Sequence, residues 1–326
     1  MQSDDLSKHS QDPGHQGLLL ALEGGGTRSQ AVIMDYRGQV LQSAYSSDVN
    51  TNFVPFDRAR SAVLQAVGNV LRLSGLAGKE IKWCASALVG PRFGKETFQA
   101  LIPKADYLFY NERDVVFARG GVYIPNGVAV VAATGATAWG IREDDGRQTA
   151  CGGWGSLLGD EGSAFAMGLL GLRAAARAYE GRAPAPTRLV GAVCEHFGLS
   201  LETFHSQMIE LAYQKPLSRA EIAGVAVVVT KLAAKKDPLA NRIVNKVSAD
   251  LAALALHAAR QLFAPQEKFE VVIAGGLLNA GSLILQPVRQ AIKGEFPFAK
   301  LVIGSEQPAV ALGKLALFDL SKEASC

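Results

Sequence analysis

"LALEGGGTRSQAVIMD", residues 20–35, decides how this chain reads. An apolar run meets Glu23, then three glycines and Thr27, and the chain turns apolar again up to Asp35. Two β-type runs flanking a glycine turn form a hairpin signal. Glycine at such a tip permits positive φ and lets backbone N–H groups approach a ligand closely. Successive N–H groups of Gly24, Gly25 and Gly26 then make an anion-binding concavity, to which the Thr27 hydroxyl adds a donor. Glu23 cannot itself hold phosphate, because like charges repel. A carboxylate beside phosphates points to Mg²⁺ between them, through water. The plainer reading of Gly24–Gly26 is a tight turn and nothing more.

Outward from this hairpin the pattern is β-rich, then mixed. Strands are expected at 18–24, 29–35 and 39–46, followed by a helix carrying Ala59, Val63, Val67, Val70 and Leu71 on one face and stopping near Gly75. "IKWCASALVG" (81–90) reads as a strand buried on both faces. A short helix near 95–101 and a strand at 107–112 follow. The plan then restarts. "GVAVVAATG" (127–135) and "TAWGIRED" (137–144) form a second hairpin, with "RQTACGGWG" (147–155) as its third strand. A helical region runs from about 160 to 264. Its last helix is opened by Asp237 as N-cap and Pro238 at the first position, and Ser218 to Glu221 form a capping box before it. A strand at 269–276, a helix near 281–294, a strand at 300–305 and a helix from about 308 close the chain.

The expected fold class is therefore α/β, in two duplicated domains with a nucleotide cleft between them. Residues 1–16 are read as a disordered polar tail, 17–121 as the first domain and 122–326 as the second, its last helix able to pack back on the first. Each domain opens with a glycine-tipped hairpin. In the second, Thr134 and Gly135 occupy the equivalent place. Gly275-Gly276 ends the strand "EVVIAGG", a backbone suited to lie against adenine or ribose. No GxxxxGK[ST] occurs, and Gly24–Gly26 precede a strand rather than a helix, so neither a P-loop nor a Rossmann fingerprint fits.

Composition narrows the partners. Thirty-three basic and 30 acidic residues, well mixed for a net charge of +3, give no basic stripe for nucleic acid. No apolar run approaches the roughly 20 residues that span a bilayer. The four cysteines are scattered without a CxxC pair, which fits a reducing, cytoplasmic setting. The five histidines share no motif.

"EGGGTRS", "GGWGSLLGDEGSA" and "AGG" together resemble the N-acetylglucosamine kinase family, within the BadF/BadG/BcrA/BcrD ATPase group of the actin/hexokinase/Hsp70 superfamily. The resemblance spans about residues 18–318. It implies two ribonuclease H-like (actin-like ATPase) domains, ATP and Mg²⁺ as cofactors, an amino-sugar substrate phosphorylated at O6, and a homodimer. It assigns the β/γ-phosphates to Gly24–Gly26 and Thr27, with Thr134 and Gly135 as the second phosphate loop. It also implies a catalytic carboxylate after the fifth strand. "FYNERDVVFARG" offers Glu112 and Asp114, and the family spacing favours Asp114. Helix N-capping is the plainer role for Asp114, and both roles can coexist. Asn52, Gly90, Gly153, Trp154 and Asp160 fall where the family contacts sugar.

Two departures stand out. Relatives read GTGS in the second hairpin, where this chain has Ala133-Thr134-Gly135-Ala136, tolerable only if Ala133 keeps a negative φ. The family's Asn-Asp before the catalytic helix is replaced by Arg113-Asp114. Two other activities remain open on the sequence: an iron–sulfur ATPase activator of the 2-hydroxyacyl-CoA dehydratase type, drawing on Cys151 and Cys194, and a non-catalytic sugar- or nucleotide-binding regulator. Glucosamine and muramyl sugars are alternative substrates.

Overall fold

The structure is a computed structural model that describes residues 17–89 and 93–323. The tail reading for 1–16 and the sugar-contact expectation for Gly90 lie outside the described residues. The chain divides into two units, one running to Pro125 and resuming at Ile303, the other Asn126–Val302. The first unit therefore extends a few residues past the expected boundary, and the last helix groups with it.

The first unit holds β1 (Leu18–Gly24), β2 (Ser29–Met34), β3 (Val40–Ser46), α1 (Phe56–Ser74), β4 (Ile81–Leu88), α2 (Lys95–Phe98), β5 (Asp106–Phe109) and α3 (Glu112–Arg119). Its sheet runs β3-β2-β1-β4-β5, with the hairpin strands antiparallel and β1, β4 and β5 parallel. The second unit holds β6 (Gly127–Ala132), β7 (Ala136–Ile141), β8 (Gln148–Gly152), α4 (Gly155–Leu158), α5 (Ala164–Tyr179), α6 (Leu189–Phe197), α7 (Phe204–Ile209), α8 (Arg219–Ala234), α9 (Pro238–Leu262), β9 (Glu270–Ala274), α10 (Ser282–Glu295) and β10 (Lys300–Ile303). Its sheet runs β8-β7-β6-β9-β10, the same order as the first, strand for strand. The closing helix is α11 (Pro308–Glu323).

Both faces of the first sheet are covered, which is why β1 and β2 read as nearly continuous apolar runs. Alternation sorts their residues. Leu20, Leu22, Ala31 and Ile33 face α1 with Ala59, Val63 and Val67. Leu19, Ala21, Val32 and Met34 face the opposite way, against α11 and Val115 of α3. Glu23 and Gln30 continue the second set beyond its apolar end, so the fold itself carries them to the α3 face.

Several strands end earlier than the periodicity predicts, and two of the ends have a visible cause. The fifth strand stops at Phe109, because Asn111 becomes the N-cap of α3 and draws Glu112 and Asp114 into the helix. The strand 147–155 stops at Gly152, where Gly152 and Gly153 turn at φ +79° and +75°. In the helical region the capping readings hold. Ser218 Oγ accepts the Glu221 N–H at 3.2 Å, and Asp237 accepts the N–H groups of Leu239 and Ala240 at 3.1 and 3.0 Å.

Candidate active site

The β1–β2 tip is held from two sides. Gly24 O accepts the Val89 N–H at 3.0 Å, Gly25 O accepts the Val49 N–H at 3.1 Å, and the Gly25 N–H closes the turn on Arg28 O at 3.3 Å. None of the three tip glycines has a positive φ, which corrects the conformational reason for them. Their reasons are spatial. A Cβ on Gly24 would lie 2.5 Å from Val49 Cγ2, whereas one on Gly25 would meet nothing within 4 Å. Gly24 is there because the interior is full, and Gly25 because the space before it is open. An open space lined by main chain is what a phosphate loop requires.

Two carboxylates share the α3 side of this tip. Burial pushes the pKa of Glu23 up to about 8, and the charge of Glu112 pushes in the same direction, while Arg119 and Arg28 oppose it. Burial alone pushes Glu112 up to about 7. Arg119 sits seven residues after Glu112 and so on the same face of α3. Its Nε donates to Glu306 O at 2.8 Å, which fixes the guanidinium. Asp114 lies elsewhere on the helix. Its Oδ2 accepts the Asn111 N–H at 2.9 Å, its Oδ1 faces Arg113 Nε at 3.4 Å, and its charge is felt by Tyr110 and Asp319. The expected catalytic carboxylate thus closes the first turn of α3, and Glu112 is the carboxylate coupled to Glu23.

The Asn52 loop joins the same end of the sheet. Asn50, 8% exposed, accepts the Asn52 N–H on Oδ1 at 3.0 Å and the Phe53 and Val54 N–H groups on its carbonyl. Asn52 itself is exposed. Ser86, Leu88, Phe93, Phe109 and Tyr110 line a small concavity at the C-terminal ends of β4 and β5, where ligands of open α/β sheets bind.

In the second unit, Thr134 and Gly135 form the β6–β7 tip, and their segment is laced to the start of α5. Ala133 O accepts the Ala164 N–H at 2.9 Å and Thr134 O accepts that of Phe165 at 3.2 Å. Ala133 keeps a negative φ, so its loss of the family's glycine costs no backbone strain. Asp160 packs under this tip. A Cβ on Gly135 would lie 2.9 Å from Asp160 Oδ1. Asp160 Oδ2 accepts Arg219 Nη2 at 2.6 Å, and the residue is 3% exposed at φ +62°. Where the resemblance puts it on sugar hydroxyls, the structure has it bracing the tip against α8. Gly153 donates to Ala136 O at 3.0 Å, and Trp154 stands 73% exposed beside Leu157 and Leu158. Gly275, at φ +133°, approaches Ala132 O so closely that a Cβ would sit 2.3 Å from it; before Gly276 the space is open. Cys194 is buried in this unit's core, and Cys151 lies on β8.

The BadF/BadG/BcrA/BcrD ATPase family model matches residues 22–311, from the strand end that carries Glu23 into α11. The chain belongs to this family. Among its relatives, an N-acetylmuramic acid/N-acetylglucosamine kinase from Clostridium acetobutylicum is 24% identical over 87% of this chain and 93% of the relative. An N-acetyl-D-glucosamine kinase from Dictyostelium discoideum is 25% identical over 92% of this chain and 98% of its own. A solved structure named as a candidate N-acetylglucosamine kinase, from Porphyromonas gingivalis, superposes with a TM-score of 0.67 at 18% identity, covering 93% of this chain and 99% of its own. The fold of this BadF-family chain is thus the two-domain, actin-like one.

Four residues around these tips escape a motif reading. Only helical spacing from Glu112, seven residues on, could have found Arg119. Gln30 and Tyr45 follow from hairpin register, since Gln30 pairs with Glu23 and Tyr45 pairs with Gln30. Arg219 gave no local signal, because its partner Asp160 is 59 residues away.

Proposed function

We propose that this BadF-family protein is an ATP-dependent sugar kinase acting on an amino sugar, N-acetylglucosamine first, at O6. The single observation that carries this is the Glu23–Glu112 pair, set beside a glycine tip whose front is open. Two half-buried carboxylates with raised pKa values fit a cation, and the open tip fits phosphate. The names of both relatives and the ATPase family support the same reading.

The glycine tip, Gly24–Gly26 with Thr27, would hold the β/γ-phosphates, and Thr134–Gly135 would serve as the phosphate tip of the second unit. Glu23 would hold Mg²⁺, and the ion when bound would neutralise phosphate charge. Glu112 is the base. A pKa near 7 lets a carboxylate both ionise at neutral pH and retain basicity. The sugar hydroxyl oxygen attacks the γ-phosphorus, the bond from phosphorus to the departing ADP breaks, and the hydroxyl proton passes to Glu112. Positioning and charge neutralisation do the rest. Asn52 is the candidate sugar contact of the first unit, and the Gly153–Trp154 segment that of the second.

The test is direct. Pure protein with Mg²⁺·ATP is offered a panel of amino and neutral hexoses, including muramyl sugars, and the product is assigned by phosphorus–proton correlation. Transfer to N-acetylglucosamine O6 is the expected result; transfer to no sugar in the panel sinks the reading.

A further inference from the structure

One guanidinium stands beside the phosphate tip with no part in the chemistry above. Arg28 follows Thr27 directly and is exposed, yet its guanidinium lies 5.1 Å from the centroid of the Tyr45 ring. The ring belongs to an ordered row. Glu23, Gln30 and Tyr45 pair in register across β1, β2 and β3, and directly opposed side chains project from one face. Gln30, 3% exposed, ties the row together. Its Nε2 donates to the Tyr45 hydroxyl at 3.0 Å and to Gln307 Oε1 at 2.8 Å. Arg28 lies two residues before Gln30 and folds over the same face.

A solvated surface arginine samples many rotamers, and any ligand must order it. Stacking on an anchored ring orders it beforehand. The stack holds the guanidinium over the sheet face that carries Gln30 and Glu23. The alternative is an arginine kept only for solubility. That role needs neither the ring nor the buried glutamine that pins it.

We propose that Arg28 is a catalytic residue, its guanidinium aligned on Tyr45 to contact the transferring phosphoryl group. Tyr45 and Gln30 are its positioning residues. This rests on the kinase reading above. As the bond to the sugar oxygen forms and the bond to ADP breaks, charge spreads over the three equatorial phosphoryl oxygens. A planar guanidinium with several N–H donors suits those oxygens better than an ammonium does.

The variants are R28Q, R28K, Y45F and Y45L, each checked for an unchanged melting temperature. In the sugar-kinase assay, R28Q should lower kcat by about 100-fold with little change in the KM for sugar. R28K should recover only part of that loss. Y45L, which removes the ring, should lower kcat more than Y45F, which keeps it. A second readout is independent of the sugar. Wild type should bind the fluoroaluminate complex of ADP more tightly than ADP itself, and R28Q should lose that preference while still binding ADP. The proposal is overturned by an R28Q enzyme within about threefold of wild-type kcat, by a loss confined to KM, or by a preference for the fluoroaluminate complex that survives the substitution. A wild type that binds the complex selectively but phosphorylates no sugar sinks the substrate reading and leaves the Arg28 arm to be decided by the second readout.

Discussion

Glu112 and Asp114 sit two residues apart on α3, and separate substitutions will resolve which of them is the base. Glu112→Gln removes the carboxylate beside Glu23 and should cut kcat by about 10²- to 10⁴-fold without loss of folding. Asp114→Asn weakens the bond to the Asn111 N–H and should cost about 1 kcal/mol in urea unfolding, with kcat far less affected. The reverse pattern moves the base to Asp114. The tip glycines give a second contrast. Gly24→Ala forces a Cβ against Val49 and Ser29 and should destabilise the fold by about 1–3 kcal/mol. Gly25→Ala meets no atom and should fold normally, but its methyl occupies the open space and ATP affinity should fall. Equal melting temperatures for the two variants would contradict this division. Glu23 carries a pH signature. Its folded pKa, about 8, lies above the ordinary glutamate value, so the folded state holds the proton more tightly than the unfolded chain. That stability is fully present below pH ~4.3 and is lost as pH rises through 8. Glu23→Gln should therefore raise the melting temperature at pH 9 but not at pH 4, by roughly 2–4 °C for each kcal/mol recovered, while abolishing Mg²⁺-dependent turnover. A melting difference that does not change with pH would refute the assignment.

At the scale of elements, the caps were the most readable features, because a cap is local in sequence. Ser218, Glu221, Asp237 and Pro238 all announced their helices. Strand ends were less readable. Tyr110-Asn111-Glu112 follows a β-type run on paper, and only the N-cap preference of Asn111 tells that the chain has turned into α3. Asp237 does more than its local signal shows. Besides capping α9, it accepts the Arg188 N–H at 2.7 Å and the Thr187 hydroxyl at 2.9 Å, from the start of α6. Its burial works against the charge, yet the N–H groups of Ala240, Arg188 and Leu239 and the Thr187 hydroxyl outweigh that and hold the carboxyl below its ordinary range. The stability it supplies is present above pH ~4 and is lost as pH falls through the lowered value. Asp237→Ala should cost about 2–4 kcal/mol at pH 7, the sum of a lost cap and orphaned donors. The deficit should shrink on acidification below pH 3, measured by denaturant titration; a deficit constant across that range would mean the charge plays no part.

At the scale of the molecule, the duplicated strand order was legible because each copy repeats the same spacing of turns. The allegiance of the last helix was not, because it depends on which sheet face lacks a cover. Leu19, Ala21, Val32 and Met34 leave an apolar face on the first sheet that no segment before Pro125 fills alone. α11 fills it with Ala309, Val310, Leu312 and Ala316, and Gly313 lets the helix approach so closely that a Cβ would lie 2.3 Å from Met34 Cε. The same segment brings Gln307 to Gln30 and Glu306 to Arg119, so the return of the chain supplies both the core and the frame of the Glu23–Glu112 site. The first unit is therefore a discontinuous domain, and two shortened chains test that. In one, residues 126–302 are replaced by a flexible Gly/Ser linker, which keeps α11. In the other, the chain ends at Val302, which removes it. The first should stay soluble and melt cooperatively, because burying these apolar side chains supplies about 1.5–3 kcal/mol apiece for the larger ones. The second should aggregate or lose the melting transition of its first unit, since an uncovered face of this kind is an association surface. If the chain ending at Val302 melts as the full protein does, α11 is dispensable and the domain is contiguous after all.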